Sequence, residues 1–217
     1  EQGKASQGAV PDTGYQDFDP KTTGYSMHDI RKQTLWGNLM AGGAGLEYYF
    51  GYKLPENDLF CQDYRSRDQS WAYGRIAIDF FREKQIPFWN MTNRNKLIGN
   101  HNNSHEKYCL ALAEELYVVY LGYVQTTDLN LRNSLADYTL EWFNPRTGGP
   151  LRKGSVQRIK GPGKQSIGLP PSDADEDWVA VIKKIPTVFR EKDGLVVGEA
   201  EHYHNQRQTK KRRWVMT

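Results

Sequence analysis

His28–Tyr52, HDIRKQTLWGNLMAGGAGLEYYFGY, decides how the first half of the chain is read. From Met27 to Met40 the apolar residues Ile30, Leu35, Trp36, Leu39 and Met40 recur at helical steps, with a start near Ser26 and a stop at Gly42-Gly43. Leu46–Tyr52 is short, aromatic and bounded by glycine, the pattern of a buried strand that carries Glu47 among its aromatics. A polar loop through Pro55 and Asp58 follows. Ser66–Lys84 then spaces Trp71, Ile76, Ile78, Phe80 and Phe81 among charged residues as a second helix that ends before Pro87. Helix, glycine-rich turn, strand, long loop and helix together have the form of one unit of an α/β barrel.

Upstream, residues 1–26 are rich in Gly, Pro, Asp and Thr without a period, as in a long functional loop. Downstream of about Asn93 the texture becomes β-rich. Tyr108–Ala113, Glu115–Leu121, Thr126–Leu131, Tyr138–Phe143, Val156–Lys160 and Trp178–Lys183 are short runs, several alternating in period two, separated by turn residues. They predict a small antiparallel sandwich, with a turn at Asn144-Pro145-Arg146-Thr147-Gly148-Gly149 and a linker over Asn90–Lys107. GLVVGEAEHY, from Gly194, reads as one more strand before a basic tail.

The fold class is therefore α+β: the last strand-helix unit of a (β/α)8 barrel followed by an antiparallel β-sandwich. The expected boundaries are 1–92 for the barrel portion, 93–187 for the sandwich and 188–217 for a further truncated module or tail. With 217 residues, 38% apolar composition and no run approaching the roughly 20 apolar residues of a membrane helix, no membrane span is expected. The net charge of +3 arises partly from Lys210, Lys211, Arg212 and Arg213, so no nucleic-acid face is implied. Cys61 and Cys109 lack ligand spacing; one bridge between them is open, a zinc site is not expected. GPGKQSIG, Gly161–Gly168, lacks the order of a phosphate loop, so no nucleotide cofactor is expected.

His28–Tyr52 together with DLFCQDYRSRDQSW (Asp58–Trp71) resembles the last part of the catalytic barrel in a family of bacterial secreted glycoside-hydrolase-like proteins. YCLAL, EELYVVYL, YTLEWFNPRTGGPL and DEDWVAVIKK resemble the collagen-binding β-sandwich domain that follows that barrel. The resemblance runs over residues 1–184, and the tail from Asp193 is similar to the opening strand of a further carbohydrate-binding-like module. It implies a secreted or periplasmic protein, a polysaccharide substrate or another extracellular polymer as partner, and a chain that lacks the N-terminal barrel segment. It also places Glu1 at the end of the seventh barrel strand, where a retaining glycosidase carries its nucleophile about 5 Å from the acid/base carboxylate. That partner would lie outside this chain, which alone would be inactive.

The individual residues carry alternatives. Glu1 is a nucleophile or a solvated terminal carboxylate. Glu47 is a second catalytic candidate at a strand end or one half of a structural ion pair with Arg31 or Lys32. Tyr48, Tyr49 and Tyr52 stack on sugar rings or pack the core. Asp12 and His28 bind substrate hydroxyls, or His28 is a surface or capping residue ahead of the helix. Arg65, Arg67 and Asp68 read as a charge network with an N-cap. Tyr120, Trp142, Phe143 and Trp178 read as sandwich core. Asp173, Asp175, Glu176 and Asp177 form a Ca²⁺ loop or, the preferred reading, a solvated turn. The sequons at Asn90 and Asn102 would be accidental in a bacterial protein.

Overall fold

The computed structural model describes residues 27–46 and 68–186, and the backbone of Glu191–Lys192 and Leu195–Val196. Glu1, Asp12, Glu47, Tyr48, Tyr49, Tyr52, Arg65 and Arg67, with the predicted strand Leu46–Tyr52 after its first residue, lie outside the described residues. Two compact units are present, Glu1–Lys184 and Ile185–Thr217. In the second, β9 (Glu191–Lys192) and β10 (Leu195–Val196) pair antiparallel.

In the first unit the helical stretch runs from α1 (Met27–Asp29) through a π-helical segment (Ile30–Trp36) to α2 (Gly37–Met40). The predicted helix is thus present, with its middle widened to i→i+5 turns, a geometry frequent where a helix serves a specific contact. The second predicted helix is α3 (Asp68–Glu83), which buries Ser70, Tyr73, Ala77 and Phe80 along one face at three- and four-residue steps.

The strands are β1 (Thr92–Asn93), β2 (Lys107–Leu112), β3 (Leu116–Leu121), β4 (Asp128–Asn130), β5 (Asp137–Phe143), β6 (Arg158–Lys160), β7 (Lys164–Ser166) and β8 (Trp178–Lys184). Six of them form one antiparallel sheet in the order β1-β2-β3-β8-β5-β6, and β4 pairs with β7 in a second, two-stranded sheet. Period-two alternation is expected in several of the runs; in β3 all six residues are buried, and in β8 the first five.

Both sheet faces are covered, and each cover has its own apolar core. Tyr108, Leu110, Val118, Tyr120, Phe143, Val179 and Val181 point to one face and cluster with Trp36, Met40, Tyr73, Ala77 and Phe80 of the helices. The residues between them, Cys109, Tyr117, Val119, Trp142, Trp178, Ala180 and Ile182, point the other way and cluster with Leu129 of β4, Ile159 of β6 and Ile167. Strands sandwiched in this manner read as continuous apolar runs, which LYVVYL and WVAVI are. Tyr120, Trp142, Phe143 and Trp178, expected in the core, are buried at 2% exposure or less, in two cores rather than one.

One expectation is corrected, and one open alternative is closed. Asn90–Lys107 is not a linker: β1 and the 3₁₀ turn Asn95–Ile98 lie in it, Thr92 and Asn93 pair with β2, and Asn95 and Asn100 are buried. Asn95 accepts from the Cys109 amide at 2.8 Å, and Asn100 donates to the carbonyls of Ser104 and Lys107, so buried amides hold the segment where a linker would be solvated. Gly161–Gly168, rejected as a phosphate loop, contains β7 and its lead-in turn. Cys109 is a free, fully buried thiol, so it forms no bridge.

Burial pushes the Cys109 thiol up from its ordinary 9.0 to about 12 and holds Tyr120, which also faces the Asp177 charge, well above the usual phenol value. An unfolded chain loses these protons at the ordinary values. Their contribution to stability is therefore complete below about pH 9 and falls as pH rises toward the folded values. Thermal unfolding midpoints measured from pH 7 to 11 should be level to about pH 9 and then decline, and Cys109→Ala should delay the onset of the decline. An unchanged midpoint up to pH 11 would contradict burial of these groups.

Candidate functional site: the helix-sheet seam

Helix α1 and the widened turn after it present five polar side chains, His28, Asp29, Arg31, Lys32 and Gln33, to their surroundings, and four of them meet the sheet layer. Arg31 is the centre. Its Nη2 donates to Asp177 Oδ1 at 2.7 Å and its Nε to Oδ2 at 3.1 Å, a two-point pair between side chains that are 1% and 0% exposed. Tyr120 on β3 donates its hydroxyl to the same Oδ2 at 2.9 Å. Arg31 Nη1 is 2.8 Å from His28 Nδ1, and the guanidinium lies 4.6 Å from the Tyr73 ring centre. Helix α1, the π-helical segment, α3, β3 and the residue preceding β8 thus converge on one cation.

Burial works against the Arg31 charge, but the hydrogen bonds and charge of Asp177 outweigh it and raise its pKa. Beside this pair, Trp36 stacks on Tyr120 with centroids 5.3 Å apart at 7°, and meets Phe80 edge-on at 5.6 Å. At the rim, Tyr123 donates to Asp29 at 3.0 Å and accepts from Gln33 at 2.9 Å, while Lys32 lies 4.8 Å over the Tyr123 ring.

The acidic run is explained by these cations. Asp177 is fully buried, which corrects the solvated-turn reading at that position. Arg146, from the turn after β5, lies 3.6 Å from Asp173 and 3.7 Å from Glu176 and sits 5.5 Å over the Trp178 ring; Lys32 reaches Glu176 at 4.0 Å. Asn144 Oδ1 accepts from the amides of Arg146 and Thr147 and so fixes the turn that presents Arg146. Among the described residues no group of three or more His, Cys, Asp or Glu is placed to hold a metal ion.

Arg31, named in the sequence reading as a partner for Glu47, has Asp177 as its partner here, 146 positions away. His28 is the one predicted site residue among the described ones. It touches Arg31 and, at 3.5 Å, the Tyr73 hydroxyl. A pair this sealed has no room for a substrate between its members. What the arrangement does chemically is hold the helices against the sheet at a fixed angle.

Residues 94–183 match the family described as "Putative collagen-binding domain of a collagenase". No curated protein matches the chain. Among solved structures, a glycoside hydrolase family 5 protein from Bacteroides vulgatus is similar over 80% of this chain and 40% of its own, with a TM-score of 0.57 at 16% identity. Another, described as a glycoside hydrolase, covers the same shares with a TM-score of 0.56 at 14% identity. The chain thus spans about 40% of the length of these structures and shares their fold. The likeness covers more of the chain than the 90 residues of the family match can supply, so it extends beyond that segment.

Proposed function

We propose that the chain is the C-terminal part of a secreted, carbohydrate-active glycoside-hydrolase-like protein, in which the helices close a (β/α)8 barrel and residues 93–187 form an accessory β-sandwich bracing it. The observation that carries this reading is the seam: an arginine from the helical layer is locked in a two-point buried pair with the residue preceding β8. An appendage that merely trails from an enzyme needs a flexible linker. This one is built into the layer above it, within a fold shared with glycoside hydrolases over 80% of the chain.

In this reading Glu1 is the nucleophile, Glu47 a further carboxylate of the barrel rim, and Asp12, His28, Tyr48, Tyr49 and Tyr52 line the substrate path. The acid/base carboxylate belongs to the rest of the barrel. The chain alone then hydrolyses no glycosidic bond, whereas the protein extended upstream releases reducing sugar from a polysaccharide and loses that activity, by at least a hundredfold, with Glu1→Gln. Hydrolysis by the chain alone, or full activity of the Glu1→Gln protein, would refute it. A second reading, a non-catalytic module that attaches to an extracellular polymer, is favoured by the family description of residues 94–183; the two are compatible in one protein.

A further inference from the structure

On the sheet face turned away from the helices lies a cleft of about 520 Å³, lined only by residues between Arg94 and Ser134. Its walls are fixed. The Arg94 amide donates to the Cys109 carbonyl at 2.8 Å, and the Arg132 amide to Asn130 Oδ1 at 3.1 Å. Tyr138, whose hydroxyl is 2.7 Å from Ser134 Oγ, donates to the Glu114 carbonyl at 3.0 Å, tying the β4–β5 loop to the β2–β3 turn. At that turn Glu114 adopts a left-handed φ of 63°, and its amide donates to the Tyr117 hydroxyl at 3.1 Å.

The backbone is anchored while the charged ends remain exposed. Arg94 and Arg132 form no ion pair among the described residues, and both are solvent-exposed in the lining. Arg31, Arg75 and Arg146 each have a carboxylate; Arg94 and Arg132, exposed and without an ion pair among the described residues like Arg82, Arg152 and Arg158, differ from those three in lining one cleft together. Two free guanidinium forks against one carboxylate, Glu114, with the amides of Asn130 and Asn133 alongside, suit a ligand that carries an anionic group among hydroxyls. The volume falls within the roughly 300–1,000 Å³ of small-molecule sites, which accommodates a few sugar units, whereas a three-chain collagen helix needs an open trench.

We infer that this cleft binds an acidic unit of a polysaccharide, its carboxylate or sulfate ester held by Arg94 and Arg132 and its hydroxyls by Asn130 and Asn133. The inference rests on the polymer-binding reading of residues 94–183 and names the chemistry that the reading leaves open. Glu114 opposes the anion, so the charge at this one position sets affinity in a predictable direction.

The experiment is calorimetric titration of the full chain at low and physiological salt with trigalacturonate, a sulfated chondroitin oligosaccharide, a neutral galactotriose and a collagen-type triple-helical peptide. Binding of the first, the second or both supports the site and distinguishes carboxylate from sulfate. Arg94→Ala and Arg132→Ala should each weaken that binding about tenfold, Glu114→Gln should tighten it several-fold, and Arg158→Ala, an exposed arginine on the opposite edge strand, should leave it unchanged. Thermal midpoints of the four variants, all at exposed side chains, establish that they fold. Equal binding of the neutral sugar, equal loss with Arg158→Ala, weakening with Glu114→Gln, binding of the collagen peptide alone, or no binding at all would each overturn the inference. Failure here leaves the hydrolase reading standing, because that reading is measured by sugar release from the extended protein.

Discussion

Asp177→Ala is expected to lower the stability of the Glu1–Lys184 unit by about 3–5 kcal/mol, as much as a large core truncation. The substitution strands the Arg31 guanidinium at 1% exposure without its carboxylate, and also removes the acceptor of the Tyr120 hydroxyl. An unpaired buried charge, rather than the lost attraction, sets the size of the effect. Arg31→Ala should cost a similar amount for the mirror-image reason. Removing all the polar ends together, as Arg31→Met, Asp177→Leu and Tyr120→Phe, should recover most of the loss, because no group is left buried without a partner. Urea unfolding of the single and combined variants at pH 7 measures this. A loss below about 1 kcal/mol for Asp177→Ala, the range of an exposed pair, would mean that the seam is open to water and does not fix the two layers.

The sequence made the long elements legible because their signals are local. Met27–Met40 and the helix ending near Lys84 follow from apolar spacing, and β2, β3, β5 and β8 from runs of β-branched and aromatic residues. What holds these elements together was not legible. Asp177 sits in a Asp-Glu-Asp run that reads as a wet turn, and nothing near Arg31 points to a carboxylate 146 positions away. The two covered faces have a local signal: LYVVYL and WVAVI contain no polar residue at alternate positions, which a sheet with one wet face would require. β7 was missed because KQS has no apolar periodicity and is held by its partner β4. Asn90–Lys107 looked like a linker because it is polar, but Asn93, Asn95 and Asn100 use that polarity to bond backbone groups of their neighbours. Of the candidate site, only His28 falls among the described residues, and its contact with Arg31 was not foreseen.

Separating the two layers should abolish cooperative folding of the first and expose the second. Expressed alone, residues 1–92 would present Trp36, Met40, Tyr73, Ala77 and Phe80 to water, side chains that the whole chain keeps at 4% exposure or less. At roughly 1.5–3 kcal/mol for each of the four large side chains returned to water, the loss is comparable with the whole stability of a typical small domain. Residues 93–187 keep the second core, around Trp142 and Trp178, and should retain strand content by far-ultraviolet circular dichroism. Their other face, with Tyr108, Leu110, Val118, Tyr120, Phe143, Val179 and Val181, would be a bare apolar surface of the kind that drives association. The expected result is no thermal transition for 1–92, and for 93–187 a transition accompanied by dye binding and self-association in sedimentation. Mixing the two pieces should suppress both by covering that face. A cooperative transition in 1–92 alone would show that the helical layer has a core of its own, and a monomeric 93–187 that binds no dye would show that the sheet does not depend on the helices. Either outcome would remove the seam as the feature joining the helices to the sheet, since that role requires each layer to complete the other.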